Sequence, residues 1–357
     1  MTASSLPRHL TARLGIDWPV IQAPMAGTST PAMAAAVSNA GGLGSLGLGA
    51  MTAAAAGDAI RAFRARSARP LNVNLFCHRP AQPDGAREAA WLERLRPAFE
   101  SVQAAPPAAI GEIYKSFVAD EAMFTMILAA RPQVVSFHFG LPRDAWIRAL
   151  KESGAVLIGT ATSLDEAHRL AAAGMDAVVA QGYEAGGHRG MFDPGAPDDR
   201  LGTFALTRLL ARELAVPVIA AGGIMDGRGI AAALGLGAAA AQLGTAFIAS
   251  AESAADEGYR AALFSDAAHH TVMTRVISGR PARCLANRFT ALGATVQPED
   301  VPAYPIAYDA GKALNAAAKA AGEPGYGAQW AGQGAPLARA LPAGQLMAAL
   351  IAEMNAA

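Results

Sequence analysis

Short apolar runs bounded by glycine or proline recur along the chain. They lie at 19–25 (PVIQAPM), 41–48 (GGLGSLGL), 71–76 (LNVNLF), 134–139 (VVSFHF), 155–161 (AVLIGTA), 177–182 (AVVAQG), 216–223 (VPVIAAGG) and 238–248 (AAAAQLGTAFI). They are nearly continuously apolar, as in strands covered on both faces, where alternation would mark a half-exposed sheet. Between most of them lie helix-like stretches. Residues 162–174 (TSLDEAHRLAAAG) open on a Thr/Ser cap with an acidic first turn and close on glycine, and 30–41 and 226–237 have the same shape. Strand, helix, strand with parallel crossovers predicts an α/β fold. The rival architectures are a doubly wound open sheet and a (β/α)8 TIM barrel. Eight units within the first 250 residues, with glycines at the strand ends, favour the barrel, assigned here to 1–248.

Two stretches break the period. Residues 77–133 are too long for one crossover and must hold extra helices. Residues 249–334 follow the last strand and read as an inserted C-terminal helical cap over one end of the barrel. Residues 335–357 contain an amphipathic helix (341–354, LPAGQLMAALIAEM) expected to pack back on the barrel.

Composition narrows the class. Of 357 residues 52% are hydrophobic and 16% charged, enough for a large core and too few charges for a disordered chain. Lys+Arg and Asp+Glu both number 29, so no basic field exists to gather nucleic acid or an acidic membrane. Cys77 and Cys284 are too few for a disulfide framework, and the opening MTASSLPRHLTARLGIDWP has no apolar leader core. A cytoplasmic monomer or homodimer is expected. Gly42, Gly44 and Gly47 match a dinucleotide fingerprint in spacing, yet a helix precedes them and no acid follows at ribose distance. They read as a glycine-rich barrel strand.

The chemistry is expected at the carboxyl ends of the strands. Ala23, Pro24 and Met25 end the first, Asn74 lies on the third, His138 on the fourth and Gln181 on the sixth. Gly222 and Gly223 end the seventh, and Gln242, Leu243, Gly244 and Thr245 lie on the eighth. Bare glycine amides and a hydroxyl after strands seven and eight suit a phosphate. The amides of Asn74 and Gln181 suit a flat heterocycle with N–H and C=O edges, and Gly186 and Gly187 would let backbone approach it. A phosphate-bearing, ring-bearing cofactor follows, and FMN is the economical choice because no second nucleotide site is visible. No acid or histidine cluster has metal-ligand spacing. Glu184 and Arg189 read as a loop brace, His269 and His270 as exposed residues at a helix end, and Cys77 as a small core residue.

The motifs QAPMAG (22–27), SFHFGLP (136–142), AQGYEAGGHRG (180–190), PVIAAGGIMDGRG (217–229) and YPIAYDAGK (304–312) resemble those of the class I nitronate monooxygenases, formerly 2-nitropropane dioxygenases, over nearly the whole chain. The resemblance implies an FMN-dependent barrel that oxidises alkyl nitronates, propionate 3-nitronate above all, with O2 to a carbonyl compound and nitrite. It places Tyr114, His138, Tyr304, Tyr308 and Lys312 on the substrate side and His188 as the catalytic residue. A nitronate needs no base, so His188 serves either as base toward a neutral nitroalkane or as hydrogen-bond donor to the anion. The alternatives are an FMN-dependent NAD(P)H:quinone or enoyl-thioester reductase and a non-catalytic flavin or phosphate binder.

Overall fold

The computed structural model describes residues 6–357; the first five residues of the stretch read for a leader lie outside it. Among the described residues there are eleven strands: β1 (Val20–Gln22), β2 (Gly44–Gly47), β3 (Leu71–Phe76), β4 (Val134–His138), β5 (Val156–Ala161), β6 (Ala177–Gln181), β7 (Gly187–His188), β8 (Val218–Ala221), β9 (Ala240–Leu243), β10 (Thr271–Thr274) and β11 (Ala282–Leu285). Eight of them pair in parallel in the order β1-β9-β8-β6-β5-β4-β3-β2. A parallel bridge between Ile21 and Leu43 joins the two edges, so the sheet closes into the expected barrel.

The Gly-x-Gly-x-x-Gly stretch is indeed barrel wall. A Cβ on Gly44 would sit 1.9 Å from the Ala34 carbonyl oxygen, so glycine there lets helix Pro31–Asn39 lie against β2. The eighth run is shorter than its apolar pattern suggests. It leaves the sheet at Gly244, and Thr245–Ile248 form a helical turn, because apolar alanine-rich sequence does not distinguish a buried strand from a buried helix. At the amino-terminal ends of the strands, Leu10 and Leu14 of helix Leu6–Leu14 pack with Val134, Ala177 and Ile219 and plug the barrel floor.

The long crossover after β3 holds helices Gly85–Glu100 and Glu121–Ala130. The first of these belongs to the cap. Trp91, Leu95 and Phe99 share a core with Phe289, Ile306, Leu314 and Tyr326, so the cap is built from two separated segments. The 249–334 segment is not helical throughout. β10 and β11 form an antiparallel ribbon, and β11 pairs with β7, giving a three-stranded sheet over the barrel mouth. Helix Ala343–Asn355 lays Leu346, Met347 and Leu350 against Met33, Val37 and Ile230 on the barrel wall. Among the described residues, no helix is long and apolar enough to cross a membrane.

Candidate active site

A cavity of about 370 Å³ opens between the carboxyl ends of the strands and the cap. Its wall includes Ala23, Pro24, Met25, Asn74, Gln181, Gly186, Gly187, Gly222, Gly223, Gln242, Gly244 and Thr245. It also includes Tyr114, His138, His188, Tyr308 and Lys312. Residues from all eight barrel strands or their loops and from both cap segments thus meet at one site. Two expected site residues stand back from it. Leu243 is buried in the wall core with Val20 and Ala246, as the inward–outward alternation of a strand requires. Tyr304 is buried behind the lining, where its hydroxyl accepts a 2.7 Å hydrogen bond from Tyr114.

The frame of the cavity is fixed by buried polar groups. Gln22, fully buried at the end of β1, donates to Ser29 Oγ at 2.8 Å and to the Ala23 carbonyl, and accepts from the Ser45 amide at 2.9 Å. This holds 23–25 across the mouth. Asn74 Nδ2 donates to Ser136 Oγ at 3.0 Å, and its Oδ1 is left uncommitted. The Gln242 side chain makes no hydrogen bond among the described residues. Gly222 and Gly223 take φ of 120° and 71°, a left-handed turn that leaves their N–H groups without backbone acceptors. Thr203 Oγ1 steadies that turn by donating to the Gly222 carbonyl at 2.9 Å, and Glu184 Oε2 accepts from the Thr203 amide at 2.7 Å. Thr245 Oγ1 accepts from Gly332 N at 3.0 Å.

The 180–190 stretch is not a free glycine loop. Gly187 and His188 form β7, His188 opposite Ala282 and Gly187 opposite Arg283. Protein, rather than ligand, makes the closest approach to its glycines. A Cβ on Gly186 would fall 2.5 Å from Gly332 N and 2.6 Å from the Ala331 carbonyl carbon, so the cap backbone fills that space. Gly187 has φ of 75° and open room beside Trp330. Gln181 also differs from expectation. Its Nε2 donates to the His188 carbonyl at 3.0 Å and its Oε1 accepts from Gly190 N at 2.7 Å. Both ends of that amide are spent on holding β7. The Glu184–Arg189 brace does not form: Arg189 is buried and grips Asp198 with two 2.9 Å bonds, while Glu184 caps the helix Thr203–Glu213. His269 and His270 are exposed at the end of a 3-10 turn, and Cys77 is buried with its thiol pushed well above the usual range by desolvation.

His188 sits in an aromatic enclosure. Its ring lies 5.0 Å from Trp330, 5.3 Å from Tyr304, 5.8 Å from Phe139 and 6.1 Å from Tyr308. Nε2 lies 2.8 Å from Ser278 Oγ, and Nδ1 has no partner among the described residues. Desolvation above all, helped by His138, Arg280 and His78, lowers its pKa to about 3. The imidazole is therefore neutral and weakly basic, not a base poised near neutral pH. His138 Nε2 lies 3.2 Å from the His188 carbonyl oxygen, and burial lowers its pKa to about 4. Lys312, on helix Ile306–Ala320, is exposed and forms no ion pair; its Nζ lies 5.2 Å from the Tyr308 ring and 5.8 Å from the Tyr114 ring. With its histidines neutral, the cavity wall among the described residues carries that one charge and no carboxylate.

Phe139, Ser278 and Trp330 complete the His188 enclosure and were not found from the sequence. The first carries a φ of 72°, an uncommon conformation outside glycine that occurs at functional sites. The other two arrive from the cap with no local motif.

A family model described as nitronate monooxygenase matches residues 8–353. The chain belongs to the nitronate monooxygenase family. Family members are flavin-dependent oxidoreductases. A nitronate monooxygenase of Paraburkholderia phytofirmans is 62% identical over 99% of this chain and 97% of its own. One of Pseudomonas aeruginosa is 53% identical over 97% and 99%. The nitroalkane oxidase structure from Streptomyces ansochromogenes superposes with a TM-score of 0.87 at 38% identity, covering 97% of this chain and 98% of that one. FabK from Thermotoga maritima follows at TM-score 0.73 and 31% identity, covering 98% and 96%. The uncommitted Gln242 amide, the free Asn74 Oδ1, the open N–H groups of Gly222 and Gly223 and the Thr245 hydroxyl are the donors and acceptors a phosphorylated flavin requires.

Proposed function

We propose that this nitronate monooxygenase family member binds FMN and oxidises alkyl nitronates, propionate 3-nitronate foremost, with O2 to a carbonyl compound and nitrite. The observation that carries this reading is the charge of the cavity wall: one ammonium, Lys312, two neutral imidazoles and no carboxylate. A wall of this kind favours a small anion and repels none of its negative charge. FMN would be held by Gly222, Gly223, Gly244 and Thr245 at its phosphate, and by Asn74, Gln242 and the 23–25 segment at its ring. Gly186 and Gly187 would border it, with Gln181 holding the β7 backbone in place. The transfer of electrons from the nitronate to O2 is chemistry that a bound flavin supplies.

The protein's own part is to bind, orient and dry the anion. Lys312 attracts it. Tyr308 presents its hydroxyl from one cap segment, while Tyr114 walls the other side with its hydroxyl donated to Tyr304 behind it. The aromatic rings around His188 exclude water and strengthen the remaining polar contacts. A neutral imidazole with Nε2 on Ser278 offers a positioned dipole to the nitronate rather than a place for a proton. A nitronate has already lost its α-proton, so the reaction asks for nothing more.

The test is aerobic turnover of the purified yellow protein. Propionate 3-nitronate should consume O2 and release nitrite, and heating should release FMN. Release of FAD, or O2 uptake without nitrite, would overturn the reading.

A further inference from the structure

Behind the histidine wall lies a buried cation that does not line the cavity. Arg280 is 3% exposed. Its Cζ stands 4.2 Å from the centroid of the Phe139 ring, its Nη2 donates to the Met191 carbonyl, and its Nε has no partner. Among the described residues no carboxylate forms an ion pair with it. The charged groups that act on it electrostatically are Glu166, Arg275 and Asp193. The Glu166 carboxylate is already committed to Thr162 and to the Phe192 amide. Phe139, in turn, lies 4.4 Å from His138 and 5.8 Å from His188. One aromatic ring therefore separates the guanidinium from the cavity wall, and the two separations put it within about 10 Å of the His188 ring.

A buried cation without a paired carboxylate is costly and calls for compensation. The anion that compensates it can be the occupant of the adjoining cavity. We propose that Arg280 is a positioning residue that gives the cavity a second positive charge besides Lys312, so that the site favours ligands carrying two negative charges, such as a nitronate that also bears a carboxylate. The inference rests on the nitronate reading above. The same charge is among the causes that keep His78, His138 and His188 neutral. A unit charge about 10 Å away at an effective dielectric of about 20 changes the binding of a monoanion by roughly tenfold, and of a dianion by more.

The experiment uses the flavin-loaded protein and three unreactive ligands of similar size: propionamide, propionate and malonate. Dissociation constants are read from the flavin absorbance. In Arg280→Met, propionate should weaken about tenfold and malonate several-fold further, with propionamide unchanged, and Arg280→Lys should restore the order. Equal weakening of all three ligands, without rescue by lysine, would overturn the proposal and leave Arg280 a structural residue. Should Arg280→Met not fold, Lys312→Met provides the second arm. With Arg280 intact that variant should still prefer propionate to propionamide by about tenfold and malonate by several-fold more, and loss of all preference would overturn the proposal. Native protein that binds neither anion would refute the nitronate reading itself. Native preference for anions that survives unchanged in Arg280→Met would refute the role of Arg280 alone.

Discussion

Lys312→Met isolates the charge on which the substrate assignment depends. Among the described residues the side chain is the only charged group on the cavity wall and is held by no carboxylate. An ammonium in contact with an anionic oxygen at about 4 Å gains about 1 kcal/mol in water and about 4 kcal/mol at an effective dielectric of about 20. Because Lys312 is exposed, solvent screening places it in the lower part of that range, about 1–2 kcal/mol. That corresponds to a rise of roughly fivefold to thirtyfold in KM for propionate 3-nitronate. Methionine keeps the length and packing of the stem against Tyr308 and Tyr114, so kcat should change little. The assay is initial-rate O2 uptake across substrate concentration at low and high ionic strength. The native KM should rise with salt, and that of the variant should respond less. An unchanged KM, or a fall in kcat at constant KM, would remove Lys312 from anion capture and refute the reasoning.

Two further changes test the histidines. In His188→Asn, nitronate turnover should fall by about tenfold, because losing part of one hydrogen bond to an anion costs roughly 1.5–3 kcal/mol and asparagine retains a donor. The native pH profile on a nitronate should show no inflection near 6.5, since His188 titrates near 3; such an inflection, abolished in the variant, would show that His188 ionises as an ordinary imidazole. His78 is 1% exposed, has neither ring nitrogen partnered, and has its pKa lowered to about 3, chiefly by burial. The unfolded chain takes up its proton below about 6.5 and the folded chain only near 3, so the stability contribution is whole above 6.5 and is lost as pH falls through that window. From pH 7 to pH 5 the loss due to His78 is about 2 kcal/mol. His78→Leu should remove that increment from denaturant melts, and an unchanged pH dependence would show that His78 is not buried neutral.

The barrel was legible because its strands are buried on both faces and are bounded at one end or the other by glycine or proline, which marks each of them in one dimension. The ribbon was not. Thr271–Thr274 and Ala282–Leu285 are four residues each and lack alternation or a turn dipeptide strong enough to stand out from alanine-rich surroundings. What makes them strands is their pairing with each other and, for Ala282–Leu285, with Gly187–His188, about 90 residues away. The same distance effect hid the setting of His188. Its position at the mouth followed from the glycine-rich motif, but its basicity is set by burial under Trp330 and Tyr304, which only the fold supplies. The glycines were read as room for a ligand, whereas at Gly186 the space belongs to Ala331 and Gly332 of the cap. Gln181 illustrates the same limit: an amide at a strand end is recognisable from sequence, but whether it faces ligand or backbone is not.

The most direct measurement is anaerobic mixing of the flavin-loaded protein with propionate 3-nitronate in one syringe and with NADH or NADPH in another, following flavin absorbance. A cavity whose one wall charge is Lys312 and whose imidazoles are neutral should let the nitronate bleach the flavin promptly, while the nicotinamides do so slowly or not at all. Rapid bleaching by NADH or NADPH, with none by the nitronate, would contradict the account and make this barrel a nicotinamide-dependent flavin reductase.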